Sequence, residues 1–213
     1  MNVVLLVLQL LFASVQIPDA NSWTISVDGR SGAITATTTE TDLQRMYRPE
    51  NVKNGEIQIG EGEVESGTVV FPDDPLKRIE VLWADPEKRV PKSVYVGGNA
   101  AYADKSLWRT TYGITLGTTL LELERINRKP FRLAGFDWDY SGTVLSWNSG
   151  VLEGVFGSEG GKKVFLRLAY STDPVPPEHR AVQGDRSFSS GHPAMQKINP
   201  HVYQMIFIFH PRS

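Results

Sequence analysis

Two similar segments occur in this chain, and this internal repetition constrains the fold more than any other sequence feature. The segment at 34–46, ITATTTETDLQRM, matches the segment at 114–126, ITLGTTLLELERI. In the same order, 66–70 matches 141–145, and a looser third match follows in each half. Three matches in one order predict two tandem copies of one supersecondary unit, with a period too long for a solenoid.

Each copy is predicted to begin with a short helix. Thr39 and Thr119 stand where an N-cap hydroxyl accepts hydrogen bonds from free helix N–H groups. An acidic residue three positions later completes a capping box in each copy. Apolar residues recur at helical spacing over 39–47 and 119–127, and a proline follows each segment. The sequence therefore predicts two capped helices of about two turns each.

Strands are predicted to follow each helix. They are 56–59, 68–71, 79–83 and 94–96 in the first copy, and 131–136, 143–147 and 164–170 in the second. The polar, proline-rich segment 174–191 is interpreted as a long loop. The nearly continuous apolar run 202–209 predicts a closing strand near the middle of the sheet or between the copies. The predicted fold class is α+β, with two tandem repeats of a short helix and an antiparallel β-meander, closed by a C-terminal strand.

The first residues are interpreted as a signal peptide. Residues 3–17 are almost all apolar, which suits a signal-peptide core and is too short to span a bilayer comfortably. A buried N-terminal strand or helix is the alternative. The predicted division is a signal peptide at 1–22, repeat unit one at 23–100, repeat unit two at 101–176, and a loop with the closing strand at 177–213. We expect a periplasmic or secreted protein with no membrane span in the mature chain.

Composition excludes several classes of protein. The chain has 22 Lys and Arg against 24 Asp and Glu, a formal net charge of −2, whereas nucleic-acid binders usually show a basic excess. It has no cysteine, which excludes disulfides, thiolate catalysis and cysteine-ligated zinc. A hydrophobic fraction of 40% with five tryptophans is enough for a folded core.

The blocks at 112–120, YGITLGTTL, and 137–144, DWDYSGTV, carry a resemblance to uncharacterised exported bacterial proteins. At the level of the fold, the helix-plus-strands unit resembles the β-lactamase inhibitory proteins, which are tandem helix-plus-sheet repeats. It also resembles small outer-membrane assembly lipoproteins, whose single copy starts its helix with G-[IM]-T-x-x-x-[VL]. The resemblance covers about 31–83 and 112–170. It implies an exported protein that binds another protein, and it transfers no functional residues.

Known catalytic motifs are absent from the sequence. It contains no G-x-S-x-G, H-E-x-x-H or EF-hand pattern, and the glycine-rich segment 157–163 is interpreted as a hairpin loop and not as a phosphate-binding loop. The four histidines are interpreted as surface or loop residues, because His201 and His210 bracket the last strand and strand alternation points their side chains to opposite faces, away from one shared metal. No cofactor and no metal are predicted.

The cluster of acidic and aromatic residues that most suggests a functional site is Asp137, Trp138, Asp139 and Tyr140. Strand alternation would place the two carboxylates on one side and the two aromatic rings on the other. A hairpin is the alternative, in which Asp139 caps the turn while Trp138 and Tyr140 pack on the core. These four residues, together with Trp147 at a following turn, are the candidate binding residues; no catalytic residue is assigned.

An exported, non-enzymatic binding or protein-interaction module is the function that the sequence favours, with another exported or envelope protein as partner and no nucleic acid. The alternatives are a periplasmic hydrolase that uses Asp137 or Asp139, and a small-ligand carrier with its pocket between the units. A deep polar pocket around a carboxylate with a raised pKa would favour the hydrolase. A flat or concave sheet face with exposed aromatic side chains would favour protein binding.

Overall fold

A computed structural model describes residues 22–26, 30–60, 62–98, 106–156, 164–170 and 174–209 of the protein. Over these residues the fold is α+β, with mostly antiparallel sheets and few helices, as the sequence predicts. Nearly all of the predicted signal peptide and the glycine-rich segment 157–163 lie outside the described residues.

The strands are numbered in chain order. They are β1 Thr24–Ser26, β2 Arg30–Ser31, β3 Ile34–Thr35, β4 Val52–Gly60, β5 Glu63–Val70, β6 Ile79–Trp83, β7 Pro91–Gly97, β8 Arg109–Thr110, β9 Arg132–Ala134, β10 Val144–Ser146, β11 Val164–Ala169, β12 Ser187–Ser189 and β13 His201–Ile208. The α-helices are α1 Glu40–Tyr47, α2 Leu120–Asn127, α3 Glu153–Phe156 and α4 Pro193–Ile198.

Both predicted helices and their caps are confirmed. Thr39 precedes α1 and accepts a hydrogen bond from the backbone N–H of Asp42, whose carboxylate accepts one from the Thr39 N–H. Thr119 and Glu122 form the same reciprocal pair at the start of α2. The turn before each helix also repeats, because the N–H of Thr35 and that of its counterpart in the second half each donate to a threonine hydroxyl at 2.9 Å. The two similar sequence segments therefore adopt the same local structure at the turn and at the helix cap.

The largest sheet has six strands in the order β11-β13-β7-β6-β5-β4, with every neighbouring pair antiparallel. The closing strand β13 lies inside this sheet, between β11 and β7, which confirms its predicted central position. Its residues Val202, Met205 and Phe207 are buried in the main core. The helices α1 and α2 cover the face of the sheet on which these buried residues lie, because Leu43 and Leu123 belong to the same core.

Neighbouring strands in the second half follow the order β9-β10-β11-β13, which parallels β4-β5-β6-β7 in the first half. The two halves meet where β7 pairs with β13. In the second half, however, β10 joins β11 through a single bridge between Thr143 and Arg167. The second predicted meander is therefore interrupted, and β9 and β10 form a smaller sheet with β12.

The interpretation of 174–191 as a long loop is wrong in part. Residues Pro177–Val182 form a 3-10 helix, and β12 pairs with β9. Val182 and Phe188 are both buried, so two apolar side chains anchor a segment whose composition is otherwise polar. The remaining small sheet, β3-β2-β1-β8, joins the two halves through the parallel pair β1 and β8.

Candidate functional site

The candidate cluster lies in the connection between β9 and β10. Asp137 and Tyr140 both have a φ of 59°, a left-handed conformation that interrupts the alternation of a strand. The N–H of Asp137 donates to the Ser141 hydroxyl at 3.2 Å, and the Ser141 N–H donates to the Trp138 carbonyl at 3.0 Å. Residues 137–142, here called the aromatic turn, are thus a double turn, and the predicted alternation of carboxylates and rings is wrong.

The two rings of the aromatic turn face solvent. Trp138 is 58% exposed and Tyr140 is 66% exposed, the highest values among the large hydrophobic side chains of the described residues. The expectation that both rings pack on the core is therefore wrong. Asp139 is exposed and does not cap the turn, since the hydroxyl of Ser141 has that role.

Trp147, the fifth candidate binding residue, belongs to the core and not to the surface. It is only 1% exposed, and its ring centroid lies 5.0 Å from that of Phe131 and 5.9 Å from that of Phe156. Its carbonyl accepts a hydrogen bond from the Asn127 side chain at 2.9 Å. The polar turn that follows Trp147 suggested exposure, but the ring turns inward beneath α3.

Asp137 anchors the aromatic turn to two other parts of the chain. The Tyr170 hydroxyl lies 3.0 Å from each carboxylate oxygen, and Gln183 Nε2 donates to the same group. His179 Nε2 lies 3.6 Å from one of these oxygens. Burial, and then the neighbouring Asp137 carboxylate, raises the pKa of Tyr170 to about 12, so the phenol is neutral at pH 7.

No local sequence pattern predicted the three partners of Asp137. Tyr170 and Gln183 lie 33 and 46 positions from Asp137 in the chain. His179 was interpreted as a loop histidine. The cavity beside Asp137 has a volume of about 150 Å³. Ligand sites usually measure about 300–1,000 Å³. The cluster is therefore best explained as a brace for the turn, and the cavity beside it is smaller than an ordinary ligand site.

A larger cavity lies next to the aromatic turn, on the face of the six-stranded sheet opposite the helices. On this outer face Phe165 pairs with Ile206, and Ile206 pairs with Tyr95, so their side chains form one row across three strands. The cavity above this row, here called the apolar cavity, has a volume of about 510 Å³. Its other walls are the end of the β4–β5 hairpin and the segment 140–145, through Ile59, Glu63, Tyr140 and Leu145.

Arg167 is the cation that lines the apolar cavity. Its Nη1 donates to Gln204 Oε1 at 3.4 Å, and its guanidinium carbon lies 6.0 Å from the centroid of the Tyr203 ring. Its Nε is buried and has no acceptor among the described residues. No carboxylate of the described residues lies within ion-pair distance of this guanidinium.

A polar cavity of about 530 Å³ adjoins the apolar one, and Tyr95 lines both. Its cation, Arg78, is already paired: Nη2 lies 2.8 Å from Glu80 Oε1, and Nη1 donates to the Pro72 carbonyl at 3.0 Å. Two further polar side chains, Glu56 and Gln58, line its wall. The cation of the polar cavity is therefore paired with a carboxylate, whereas the cation of the apolar cavity has no carboxylate partner among the described residues.

Neither a metal cluster nor a membrane-spanning helix is found in the described parts of the chain. No three His, Asp or Glu side chains there come together as metal ligands. No helix there is long and apolar enough to cross a bilayer. Comparisons with protein families, curated proteins and solved structures returned no match to this chain.

Proposed function

We propose that the protein is an exported, non-enzymatic binding protein that recognises another exported or envelope protein through the aromatic turn and the adjoining outer face of the sheet. The observation that carries this proposal is the exposure of both Trp138 and Tyr140 on one braced turn. Tryptophan and tyrosine are enriched among the residues that dominate binding energy at protein interfaces. A fixed turn also loses little conformational freedom when a partner binds.

The surface beside the turn supports the same function. Tyr140 and Leu145 are both exposed and both line the apolar cavity, whose floor is Phe165 and Ile206. Exposed apolar surface therefore continues from the turn onto the sheet. Contiguous surface of this kind on a folded domain typically marks an interaction site.

A capture experiment with matched variants tests this proposal. The mature chain is immobilised, exposed to an envelope extract of its native host, and compared with Trp138→Ala, Tyr140→Ala and the control Leu121→Ala. Leu121 is also exposed, but it lies on α2, on the other side of the sheet. A specific partner should be retained by the wild type and the control and lost from both aromatic variants.

The captured partner is then purified and titrated against each variant. Residues that dominate an interface cost about 2 kcal/mol or more when truncated, which is about a thirtyfold loss of affinity. A partner that binds the aromatic variants as tightly as the wild type would refute the aromatic turn as the binding site.

Export is part of the proposal, and it rests on the apolar run 3–17. The test is the N-terminal sequence of the protein recovered from its native host. We expect the mature chain to start near residue 21 or 23. An intact Met1 on a cytoplasmic protein would contradict export.

Tandem duplication of one unit is the proposed origin of the fold. It is supported by the two matching capping boxes, the two matching threonine turns, and the parallel strand orders β4-β5-β6-β7 and β9-β10-β11-β13. A crystal structure provides the test, by superposition of 31–83 on 112–170. Both helices and at least two following strands should align, and helices on opposite sheet faces would oppose duplication.

A further inference from the structure

We infer that the apolar cavity binds a small apolar molecule with one carboxylate, and that Arg167 binds this carboxylate. This inference goes beyond the proposed function. The floor of the cavity belongs to the surface proposed for the partner, but binding of a small acid is measured on the mature chain alone, without a partner. It rests on the volume of the cavity, its apolar walls, and an arginine that has no carboxylate partner among the described residues.

Size and walls suit a small apolar ligand. The volume of about 510 Å³ falls within the range of about 300–1,000 Å³ that is usual for ligand sites. The floor presents Tyr95, Phe165, Ile206 and Ile208, and Leu145 stands at one side. A hydrocarbon or aromatic body would bury its surface against these side chains, which favours binding in proportion to the area removed from water.

The chemistry of Arg167 selects a carboxylate. A guanidinium presents its N–H groups in a planar fork that matches the two oxygens of a carboxylate. Gln204 holds one end of this fork through Nη1. No carboxylate of the described residues pairs with this guanidinium, so a ligand carboxylate that accepts from its N–H groups supplies the missing opposite charge.

Glu63 restricts the ligand to a single negative charge. It is exposed and lines the cavity from the hairpin end. Solvent and salt screen its repulsion of an acid held at Arg167. A ligand with a second carboxylate at the hairpin end would lie beside this residue and be disfavoured.

Calorimetric titration of the full mature chain with octanoate and octanamide tests the inference. The two probes share one hydrocarbon tail and differ in charge. Octanoate should bind at one site, and octanamide at least about tenfold more weakly, because a hydrogen bond to a charged group is stronger than one between neutral groups. Equal binding of the two probes, or no binding of octanoate, would overturn the inference.

Variants then locate the site. Arg167→Gln should lose most of the preference for octanoate over octanamide, whereas Arg167→Lys should retain part of it because the charge remains. The control is Arg132→Gln, at an arginine on β9 that does not line the cavity, and it should bind like the wild type. Binding by Arg167→Gln that equals the wild type would exclude Arg167 as the carboxylate site.

A second pair of variants keeps the test valid if Arg167→Gln does not fold. Leu145 is 39% exposed at the cavity wall, so a polar side chain is tolerated there. Leu145→Glu should weaken octanoate binding by charge repulsion, and Leu145→Gln should weaken it less. Equal affinities would place octanoate elsewhere. Loss of octanoate binding with partner capture intact, or the reverse, separates this inference from the proposed function.

Discussion

Gly142 is the position at which one added methyl group should most disturb the aromatic turn. Its φ is +66°, and a Cβ there would lie 1.9 Å from the Leu168 carbonyl oxygen of β11. The left-handed conformation alone costs a residue with a side chain about 1–2 kcal/mol. Relief of the close contact requires the turn to move away from β11, which breaks the hydrogen bond from the Leu168 N–H to the Gly142 carbonyl at 2.9 Å.

Loss of that hydrogen bond adds about 1–3 kcal/mol, so Gly142→Ala is expected to lower the free energy of unfolding by about 2–5 kcal/mol. Gly113→Ala is the matched control, because its φ is +76° but an added Cβ would meet no described atom within 4 Å. The control should therefore lose only the conformational part, about 1–2 kcal/mol.

Denaturant unfolding of both variants measures this difference. The midpoints should separate while the slopes stay equal, which shows that stability has changed and not the extent of unfolding. The excess loss in Gly142→Ala over Gly113→Ala reports the contact with Leu168. If the two variants lose the same free energy, the turn moves off β11 without cost, and the reasoning that a tightly packed glycine fixes the aromatic turn is refuted.

The cap of α2, the Asp137 cluster and the burial of the tryptophans each lead to a further prediction. Thr119→Ala should lower the free energy of unfolding by about 0.5–2 kcal/mol and leave octanoate affinity unchanged, so lost binding in a folded variant would show that this threonine belongs to a site. The Tyr170 pKa of about 12 exceeds its ordinary value of 10, so the folded state loses stability as pH rises through this interval; Asp137→Asn should lower that pKa, and an unchanged ultraviolet titration of the phenol would argue against the contact. Trp147→Ala should cost about 3–5 kcal/mol in denaturant unfolding, whereas Trp138→Ala should change stability by no more than about 0.5 kcal/mol, and similar losses would contradict their assigned burial.

Features that depend on a few neighbouring residues were predictable from the sequence. The caps at Thr39 and Thr119 require only a hydroxyl and an acidic residue within one helical turn, and both are present as predicted. The strand Ile79–Trp83 has the predicted bounds, because alternating β-branched and aromatic residues mark it locally. The closing strand was placed correctly because an apolar run of that length needs burial.

Features that depend on distant partners were not predictable. The acidic and aromatic residues 137–140 suggested a strand or a core-packed hairpin, but Asp137 is held by Tyr170 and Gln183, which no local pattern connects to it. Left-handed backbone at Asp137 and Tyr140 then turns the rings outward. The prediction that Trp147 is exposed was wrong for the opposite reason. Its turn is polar, but its ring packs against Phe131 and Phe156 in the core.

Arg167 is an intermediate case, because a local signal for it exists. In β11 the buried residues Val164, Leu166 and Leu168 alternate with Phe165 and Arg167. That period of two places a phenyl ring and a guanidinium on the face away from the core. The alternation identifies the face, but only the sheet order shows that β13 and β7 extend it with Ile206 and Tyr95.

Both halves of the chain are needed to form the apolar cavity, and this follows from the pairing of β7 with β13. Tyr95 comes from the first half, whereas Arg167 and Tyr140 come from the second. Because β7 and β13 are neighbours, a slip of one strand by one residue would turn either Tyr95 or Ile206 toward the helix-covered face and would expose the core residues of that strand to solvent. The core residues Val94 and Phe207, which pair in the same register, oppose such a slip. The packing that stabilises the centre of the sheet on its inner face therefore also fixes the floor of the apolar cavity on its outer face.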